Sequence, residues 1–519
     1  MAPENDASTL CLESSTRPSL LNKQNSQDEN EKQSHSKKDS GKWTPLLILA
    51  GFTCCFGSAV PTGYNIGVVN NPAELIQNFI NESIRSQYNK QLLHGELEFI
   101  WSVIVSIFLI GGVIGSFGAS WLADKYGRKG AFMVGNIFGV LGAICFSLTP
   151  IINSVEILIL GRLLVGFSGG IATSLLSMYM MEIATVGQRG AVGVLCQLGI
   201  TVGVFLGQVA GLENVLGTEE SWHIMLTAFA PLCIISLVLF YFLPESPKYL
   251  YIIRQEPEKA TQELARLRNV HPNLLHDEIC SLQEESLINS SMDSWTVGRV
   301  IKDSSVRLPI LLVSALQLGQ QLSGINAVFY YSHKIFEAAQ LSKDDSEYGI
   351  LGTGVINIAM AVISVRIMSL FGRRTLFLCS SYASAICLTV LCIGLSVIEY
   401  GSFVPWLCII AVEAYVLFYG LGLGPIPYFI ASELFDVPSR PAAMAIGSVC
   451  NWGGNFAVGL LFPTVANIMG AYTYLIFVFI IIIVAMFVKF YLPETRGVNT
   501  TDITAALSQG FHLRRRPIN

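Results

Sequence analysis

The chain has 519 residues, of which 52% are hydrophobic and only 13% are charged. Soluble domains carry about 25% charged residues, so this composition excludes a string of soluble domains, and it excludes disorder for most of the chain. The formal net charge of −5 offers no basic surface for a nucleic acid. We therefore expect lipid to surround the folded part.

Twelve apolar stretches follow one another along the chain. Residues 1–44 precede them and are polar, without the apolar core of a signal peptide, which predicts a disordered tail. A spanning helix needs about 20 apolar residues. Stretches of that kind occur at 45–70, 99–121, 131–150, 155–178, 190–212, 223–243, 309–332, 350–371, 375–398, 404–431, 443–468 and 470–491. The sequence therefore predicts an all-α membrane protein with twelve transmembrane helices.

A central polar segment divides these stretches into two sets of six. Within it, Ala260, Leu264 and Leu267 recur at helical spacing, which predicts a small cytoplasmic helical linker. The predicted domains are a tail at 1–44, six-helix bundles at 45–243 and 307–492, the linker at 244–306 between them, and a second tail at 493–519.

Lysine and arginine set the predicted orientation. If the N-terminus is inside, the outside loops hold only Arg85, Lys90, Lys334 and Lys343, and the remaining loops and tails hold the rest. This bias predicts a multi-pass protein with both termini in the cytoplasm. The first outside loop contains the sequon Asn81-Glu82-Ser83, so Asn81 is the predicted glycosylation site.

The two halves repeat at a spacing near 250 residues. Glu182 and Arg189 are matched by Glu433 and Arg440 with a shift of 251, Gly127-Arg128 by Gly372-Arg373 with a shift of 245, and the PES at 244 by the PET at 493 with a shift of 249. Each motif falls at the predicted cytoplasmic end of a span. Parallel repeats of this kind are typical of secondary transporters, and they predict two pseudo-symmetric bundles.

The repeated charges are candidates for a cytoplasmic latch between the bundles. A charge near the bilayer is costly unless it is paired. Acids and bases from both halves could hold the inner side shut, and their separation would permit alternating access. Topology alone would explain the bases but not the acids beside them. The predicted latch residues are Asp124, Arg128, Glu182, Arg189, Arg373, Glu433 and Arg440.

Several longer motifs carry a family resemblance: WLADKYGRKG, GRLLVGFSGG, PESPKYL, QQLSGINAVFYYS, GLGPIPYF, RPAA and PETRG. They resemble the facilitative glucose transporter family, sugar porters of the major facilitator superfamily, over about residues 45–497. The resemblance implies alternating-access transport of a neutral hexose, with D-glucose favoured, across the lipid bilayer of the plasma membrane. It implies no enzymatic activity, no cofactor, metal, nucleotide or nucleic acid, and no required oligomer.

A neutral sugar needs amides that match its hydroxyl groups and an aromatic ring for its C–H face. For a single intramembrane amide, hydrogen bonding between helices is the alternative. The candidate substrate-binding residues, which match the family's sugar-contacting positions, are Gln197, Gln320, Gln321, Asn326, Asn357, Trp452 and Asn455.

Two gates follow from the same resemblance. Phe329, Tyr330 and Tyr331 match the family's extracellular gate, although an interfacial aromatic belt would also place aromatic residues there. The run GLGPIP, with Gly424, Pro425 and Pro427, breaks the tenth span and is the candidate cytoplasmic gate.

The energy source is read from the first span. Proton-coupled relatives of this family have an aspartate directly after GY, whereas this chain has Asn65, an amide that cannot carry a proton. A uniporter is therefore predicted. Glu413, an acid in the tenth span, keeps a proton-coupled sugar symporter as an alternative. Three positions depart from the family pattern: Gly420, Tyr428 and Ser369. Gly420 and Ser369 remove members of the cytoplasmic charge network, which predicts a looser latch. Gly420 and Tyr428 keep a fructose- or dehydroascorbate-preferring transporter as another alternative.

Overall fold

The computed structural model describes residues 43–69, 73–212, 215–289, 295–328, 343–401, 403–498 and 500–508. Nearly all of the predicted N-terminal tail lies outside these ranges. So do Phe329, Tyr330 and Tyr331, the predicted extracellular gate.

Within the described ranges, eleven helices are long and apolar enough to cross a membrane. One of them, Gly95–Ile152, has 58 residues. At 1.5 Å per residue it would span roughly 87 Å, almost three times the thickness of a bilayer core. Its helix is interrupted at Gly127, which has φ 82° and ψ 174°, so the segment makes two crossings. The eleven helices therefore give the twelve crossings that the sequence predicts.

We number these crossings α1 to α12. The first six are α1 Pro45–Gly67, α2 94–126, α3 128–152, α4 Val155–Ile183, α5 Arg189–Ala210 and α6 Trp222–Phe242. The second six are α7 Ser304–Val328, α8 Lys343–Leu370, α9 Arg373–Ser396, α10 Val404–Leu434, α11 Arg440–Met469 and α12 Thr473–Tyr491. We call the side of the molecule that carries Gly127 and Gly372 the inner face.

Two crossings of the second half are broken, and the break in α10 lies where the sequence predicts it. In α7 the regular helix ends at Gln321 and resumes after Gly324, whose φ of +90° is a backbone conformation that favours glycine. In α10 an outer segment, Val404–Leu421, and an inner segment, Ile426–Leu434, flank a short turn. Pro425 and Pro427 cause this break because neither has a backbone N–H to donate to the helix.

Shorter helices lie outside the crossings. Ala73–Tyr88 joins α1 to α2, and the predicted linker contains the helices Pro257–Arg268, His276–Asn289 and Val297–Lys302. The linker contacts both halves: the Arg268 guanidinium donates to the carbonyl of Ile183 at 2.9 Å, and the backbone N–H of Trp295 donates to the carbonyl of Pro438 at 3.4 Å. A helix that the sequence did not predict, Thr500–Leu507, buries Ile503 and Leu507 at the start of the predicted second tail.

Glycines let the membrane helices approach closely, as is common where the hydrophobic effect cannot drive association. Between α1 and α5, a Cβ atom on Gly63 would lie 2.1 Å from the carbonyl oxygen of Ile200. The two halves meet in the same way, because a Cβ atom on Gly112 of α2 would lie 2.4 Å from the Trp452 indole of α11. The seam between the halves is therefore tightly packed.

Candidate functional site

A cavity lies between the two halves and is lined by sixteen residues from α1, α4, α5, α7, α8, α10 and α11. None of these lining residues is charged. Three are aromatic, namely Tyr419, Tyr428 and Trp452. Besides the hydroxyl groups of the two tyrosines, nine residues present an amide or an aliphatic hydroxyl group: Thr62, Thr173, Gln197, Thr201, Gln321, Asn326, Asn357, Asn451 and Asn455. This wall can form hydrogen bonds in many directions without placing a charge in the membrane interior.

Six of the seven predicted substrate-binding residues line this cavity: Gln197, Gln321, Asn326, Asn357, Trp452 and Asn455. They come from four helices, α5, α7, α8 and α11. The seventh, Gln320, is fully buried but is not among the lining residues. Its amide donates to the carbonyl of Gly424 and accepts from Asn451 at 2.5 Å, so it faces α10 rather than the cavity.

Asn357 carries an unused acceptor into the cavity. The residue is 3% exposed, and its Oδ1 has no hydrogen-bond partner among the described residues. A buried polar group without a partner costs about 1–3 kcal/mol. A ligand hydroxyl or a water molecule that donates to this oxygen would recover that free energy, so this position favours a ligand rich in hydroxyl groups.

Trp452 is held by the half of the molecule to which it does not belong. Its indole N–H donates to Thr173 Oγ1 at 3.2 Å, and its ring contacts Phe108 edge-on at a centroid distance of 5.4 Å. Gly112 provides the space for the ring, as described above. The indole is therefore a rigid apolar surface at the seam, of the kind on which a sugar C–H face stacks.

At the inner face, the predicted latch residues of the first half form a buried cluster. Arg128 Nε lies 2.9 Å from Glu182 Oε2, and neither side chain is exposed to solvent. Ser246 Oγ donates to the same carboxylate at 2.6 Å. Asp124 lies at the edge of the cluster, 4.0 Å from Arg128.

The second half repeats this cluster. Arg373 Nη2 lies 3.0 Å from Glu433 Oε1, and the Thr495 hydroxyl donates to Glu433, as Ser246 does to Glu182. Most of the predicted latch thus pairs within each half. The structure separates these internal pairs from the contacts that hold the halves together, a distinction that the sequence could not make.

One ion pair crosses between the halves in the described part of the chain. Arg440 Nη1 of α11 lies 3.4 Å from Glu182 Oε1, and the two side chains are 3% and 0% exposed. Arg189, its counterpart in the first half, forms no ion pair with Glu433 or any other described acid, and its Nε has no hydrogen-bond partner there. The latch is therefore asymmetric.

Backbone contacts close the inner face beside this ion pair. A Cβ atom on Gly190 of α5 would lie 2.9 Å from the carbonyl oxygen of Met368 in α8. A Cβ atom on Gly193 would lie 2.9 Å from the ring of Phe429, in the inner segment of α10. The inner end of α10 thus packs directly against the first half, as a gate in its closed position would.

The repeated PES and PET motifs have a role that the sequence analysis missed. Glu245 accepts from the backbone N–H of Arg128 at 3.0 Å, and Glu494 accepts from that of Arg373 at 2.6 Å. Each carboxylate caps the N-terminus of the third helix of its half, where the helix dipole favours negative charge. Burial raises the pKa of Glu245 despite these bonds. The sequence did carry a signal for this contact: PES and PET repeat at nearly the same spacing, 249 residues, as Gly127-Arg128 and Gly372-Arg373, 245 residues.

Glycine is required beside each of these caps. A Cβ atom on Gly127 would lie 2.2 Å from Glu245 Oε2, and one on Gly372 would lie 1.9 Å from Glu494 Oε2. Both distances are far below van der Waals contact. The glycine and the glutamate of each motif therefore form one structural unit, repeated in the two halves.

Glu413 and the family departures lie at different places. Glu413 faces α8, where a Cβ atom on Gly352 would lie 2.9 Å from its Oε1, and it does not line the cavity. Its Oε2 has no hydrogen-bond partner among the described residues. Gly420 packs against Met360, whereas Tyr428 lines the cavity.

Comparisons with known proteins agree on one family. The family model described as sugar (and other) transporter matches residues 50–507. Solute carrier family 2, facilitated glucose transporter member 3 from Homo sapiens is 40% identical over 471 residues, which are 91% of this chain and 94% of the relative. Its counterpart from Rattus norvegicus is 38% identical over 473 residues, covering 91% and 95%.

Solved structures show the fold. The major facilitator superfamily proton:xylose symporter XylE, bound to 6-bromo-6-deoxy-D-glucose, superposes with a TM-score of 0.76 at 21% identity, covering 89% of this chain and 99% of that one. The inward open conformation of XylE from E. coli superposes with a TM-score of 0.64 at 21% identity, covering 88% and 99%. The chain is a multi-pass membrane protein with the major facilitator fold, and it belongs to the sugar transporter family.

Proposed function

We propose that this chain is a facilitative hexose uniporter, most favourably for D-glucose, that works by alternating access across the plasma membrane. The observation that carries the proposal is the cavity between the halves, whose uncharged wall presents eleven amide or hydroxyl side chains, two of them tyrosines, and a fixed indole. Such a wall matches the hydroxyl groups and the C–H face of a neutral sugar. The names of the human and rat relatives, facilitated glucose transporters, support the same substrate.

In this proposal the six predicted residues that line the cavity bind the sugar. Gln320 supports them without contacting the sugar, because its Oε1 accepts hydrogen bonds from Gln321 and Asn451. Asn357 Oδ1 accepts a hydroxyl group of the sugar, since it has no partner among the described residues. Trp452 supplies the apolar face. The outer gate is formed by Phe329, Tyr330 and Tyr331, which match the family motif.

The cycle alternates between opening at the outer and at the inner face. Closure at the inner face uses the Arg440–Glu182 pair and the contact of the inner α10 segment with Gly193. Opening requires that these contacts separate, while Gly424, Pro425 and Pro427 let the inner segment bend. The ion pairs inside each half, Arg128–Glu182 and Arg373–Glu433, move with their bundles.

Transport down a gradient follows from the chemistry of α1. Asn65 is fully buried. Its side-chain amide donates to the backbone carbonyl of Pro61 at 2.9 Å, and its backbone carbonyl accepts from the Arg162 guanidinium at 2.9 Å. No acidic side chain lies in α1, Pro45–Gly67. The helix therefore has no group that exchanges a proton near neutral pH, as coupling to a proton gradient would require.

The proposed topology places residues 1–44, the linker 244–306 and residues 493–519 in the cytoplasm, between and beside the two bundles. It leaves Asn81 outside as the glycosylation site. Asn81 is half-buried on the helix Ala73–Tyr88, and the Ser83 hydroxyl of the sequon donates to the carbonyl of Asn153 at 2.5 Å. A glycan would therefore be attached before this helix packs. Loss of a glycosidase-sensitive mobility shift in Asn81→Gln tests the assignment.

Uptake of radiolabelled hexose into proteoliposomes tests the proposed function. We expect glucose to equilibrate, with a rate that ignores an imposed pH gradient and that unlabelled glucose inhibits. Accumulation above equilibrium driven by the pH gradient would instead indicate a symporter. Faster uptake of fructose or dehydroascorbate than of glucose would overturn the substrate preference, and no transport of any hexose would refute the function.

A further inference from the structure

A chain of amide side chains connects the cavity to the break in α10. It begins at Gln317, which lies one helical turn before Gln320 and Gln321 in α7. Gln317 is 4% exposed and does not line the cavity, so the proposed function leaves it without a role. Its Nε2 donates to the carbonyl oxygen of Pro427 at 2.8 Å.

Asn451 of α11 is the junction of this chain. Its Nδ2 donates to Gln317 Oε1 at 2.8 Å and to Gln320 Oε1 at 2.5 Å. Its Oδ1 accepts from Gln321 Nε2 at 3.0 Å. Gln321 in turn accepts from Asn326, so an unbroken series of hydrogen bonds runs from two proposed sugar-binding amides to Pro427.

The end of the chain lies on the part of α10 that must move. Gln317 donates to the carbonyl of Pro427, at the start of the inner segment, and Gln320 donates to the carbonyl of Gly424, in the break. Farther along, the same segment packs Phe429 against Gly193 of the first half. Because Pro427 and Phe429 lie on the same helical segment, Ile426–Leu434, a rotation of this segment that separates Phe429 from Gly193 would also move the carbonyl of Pro427 relative to Gln317.

Amide chains have a direction, because each side chain offers one carbonyl and one NH2 group. Here each donor points towards α10, and neighbouring bonds in such a chain polarise one another. A sugar hydroxyl that bonds to Gln321 or Asn326 competes for the same donors and acceptors. Binding in the cavity therefore changes the hydrogen bonds available to Asn451, and through it those of Gln317.

We propose that Gln317 is a positioning residue that, through Asn451, couples occupation of the cavity by a hexose to movement of the inner segment of α10. The proposal rests on the proposed function, because it needs a sugar in the cavity. It assigns Gln317 no contact with the substrate. Its effect is on how far a bound sugar accelerates reorientation of the protein.

The test compares two rates of the full-length protein in proteoliposomes. Zero-trans flux is limited by return of the empty carrier, whereas equilibrium exchange uses only loaded carrier. In the wild type we expect glucose exchange to exceed zero-trans flux at least about fivefold, the low end of measured coupling between sites. In Gln317→Met, which keeps the side-chain length but removes both amide bonds, we expect the ratio to fall to about 1 while the exchange KM changes less than about twofold.

Controls separate coupling from folding and from function. Leu311→Met alters an exposed residue of the same helix and should keep the wild-type ratio. If Gln317→Met does not fold, Gln317→Asn, whose shorter side chain cannot reach both partners, takes its place. A wild-type ratio near 1, or an unchanged ratio in the variant, would overturn the coupling while leaving hexose transport intact. Absence of any hexose flux in the wild type would refute the proposed function itself.

Discussion

The Arg440–Glu182 contact allows a clean test of the inner latch. Arg440→Met removes the cross-half ion pair and keeps most of the apolar volume of the side chain. Glu182 retains its hydrogen bonds to Arg128 and Ser246, so the variant leaves no buried acid without a partner. The substitution also removes the hydrogen bond of 3.2 Å that Arg440 Nε donates to the carbonyl of Phe435 in the same half. We expect folding to survive and the closed inner face to lose stability.

The magnitude follows from the geometry. A hydrogen bond to a charged group contributes about 1.5–3 kcal/mol net. The Arg440–Glu182 distance of 3.4 Å is long for such a bond, so the low end applies. Since about 1.4 kcal/mol is a factor of ten in an equilibrium constant, the ratio of inner-closed to inner-open protein should fall about tenfold. Both side chains are buried, so salt should screen the effect little.

Sidedness of ligand binding measures this shift. An inhibitor that enters only from the inner face should bind Arg440→Met about tenfold more tightly, and one that binds only from outside should bind more weakly. Arg374→Met is the matched control, because Arg374 donates to the carbonyl of Lys489 within its own half. Unchanged sidedness in Arg440→Met, or an equal shift in both variants, would refute the latch.

Three further variants test the cavity and its surroundings. Gln321→Leu should abolish glucose uptake at normal expression, because it removes a sugar-facing amide, and retained affinity would remove Gln321 from the site. Gly112→Ala places a methyl group 2.4 Å from the Trp452 indole and should weaken hexose affinity about tenfold, whereas Gly118→Ala, with its nearest neighbour at 3.6 Å, should not. Glu413→Gln should leave uptake within about twofold and independent of a pH gradient, because the acid does not line the cavity; gradient-driven accumulation that this variant abolishes would establish symport.

The membrane fold was predictable because the bilayer imposes strong rules. Backbone groups in lipid must be satisfied within the segment, so each spanning stretch has to be a helix of about 20 residues. Proline also allowed a local prediction, because Pro425 and Pro427 indicate the break in α10. The helix Thr500–Leu507 was missed because it is too short to span a bilayer. It also buries only a few apolar side chains, so its hydrophobic pattern resembles that of a polar tail.

The sequence predicts which polar side chains lie near the site better than it predicts their hydrogen-bond partners. Gln317, Gln320 and Gln321 share one helix and one chemistry, but only Gln321 lines the cavity. Which side of α7 faces the cavity depends on how α7 packs against α10 and α11. A glutamine that contacts the sugar and a glutamine that only supports such a residue have the same side chain, so residue type does not distinguish them. Sequence similarity to the family placed Gln320 in the cavity, whereas the fold turns it towards the carbonyl of Gly424.

The distribution of ion pairs bears on how easily the inner face opens. Breaking a buried ion pair by removing one partner costs about 3–5 kcal/mol, so a latch built from several such pairs across the seam would make opening slow. Here the short pairs, Arg128–Glu182 at 2.9 Å and Arg373–Glu433 at 3.0 Å, lie inside the halves and need not break as the bundles rotate. Among the ion pairs of the described residues, the one that must separate is the longer Arg440–Glu182 contact, and the packing of α5 at Gly190 and Gly193 must separate with it. Glu182 also keeps Arg128 when Arg440 departs, so opening exposes no unpaired buried acid. A uniporter has no ion gradient to drive this step, and a latch with one weak crossing pair suits a cycle run by thermal energy and the sugar alone.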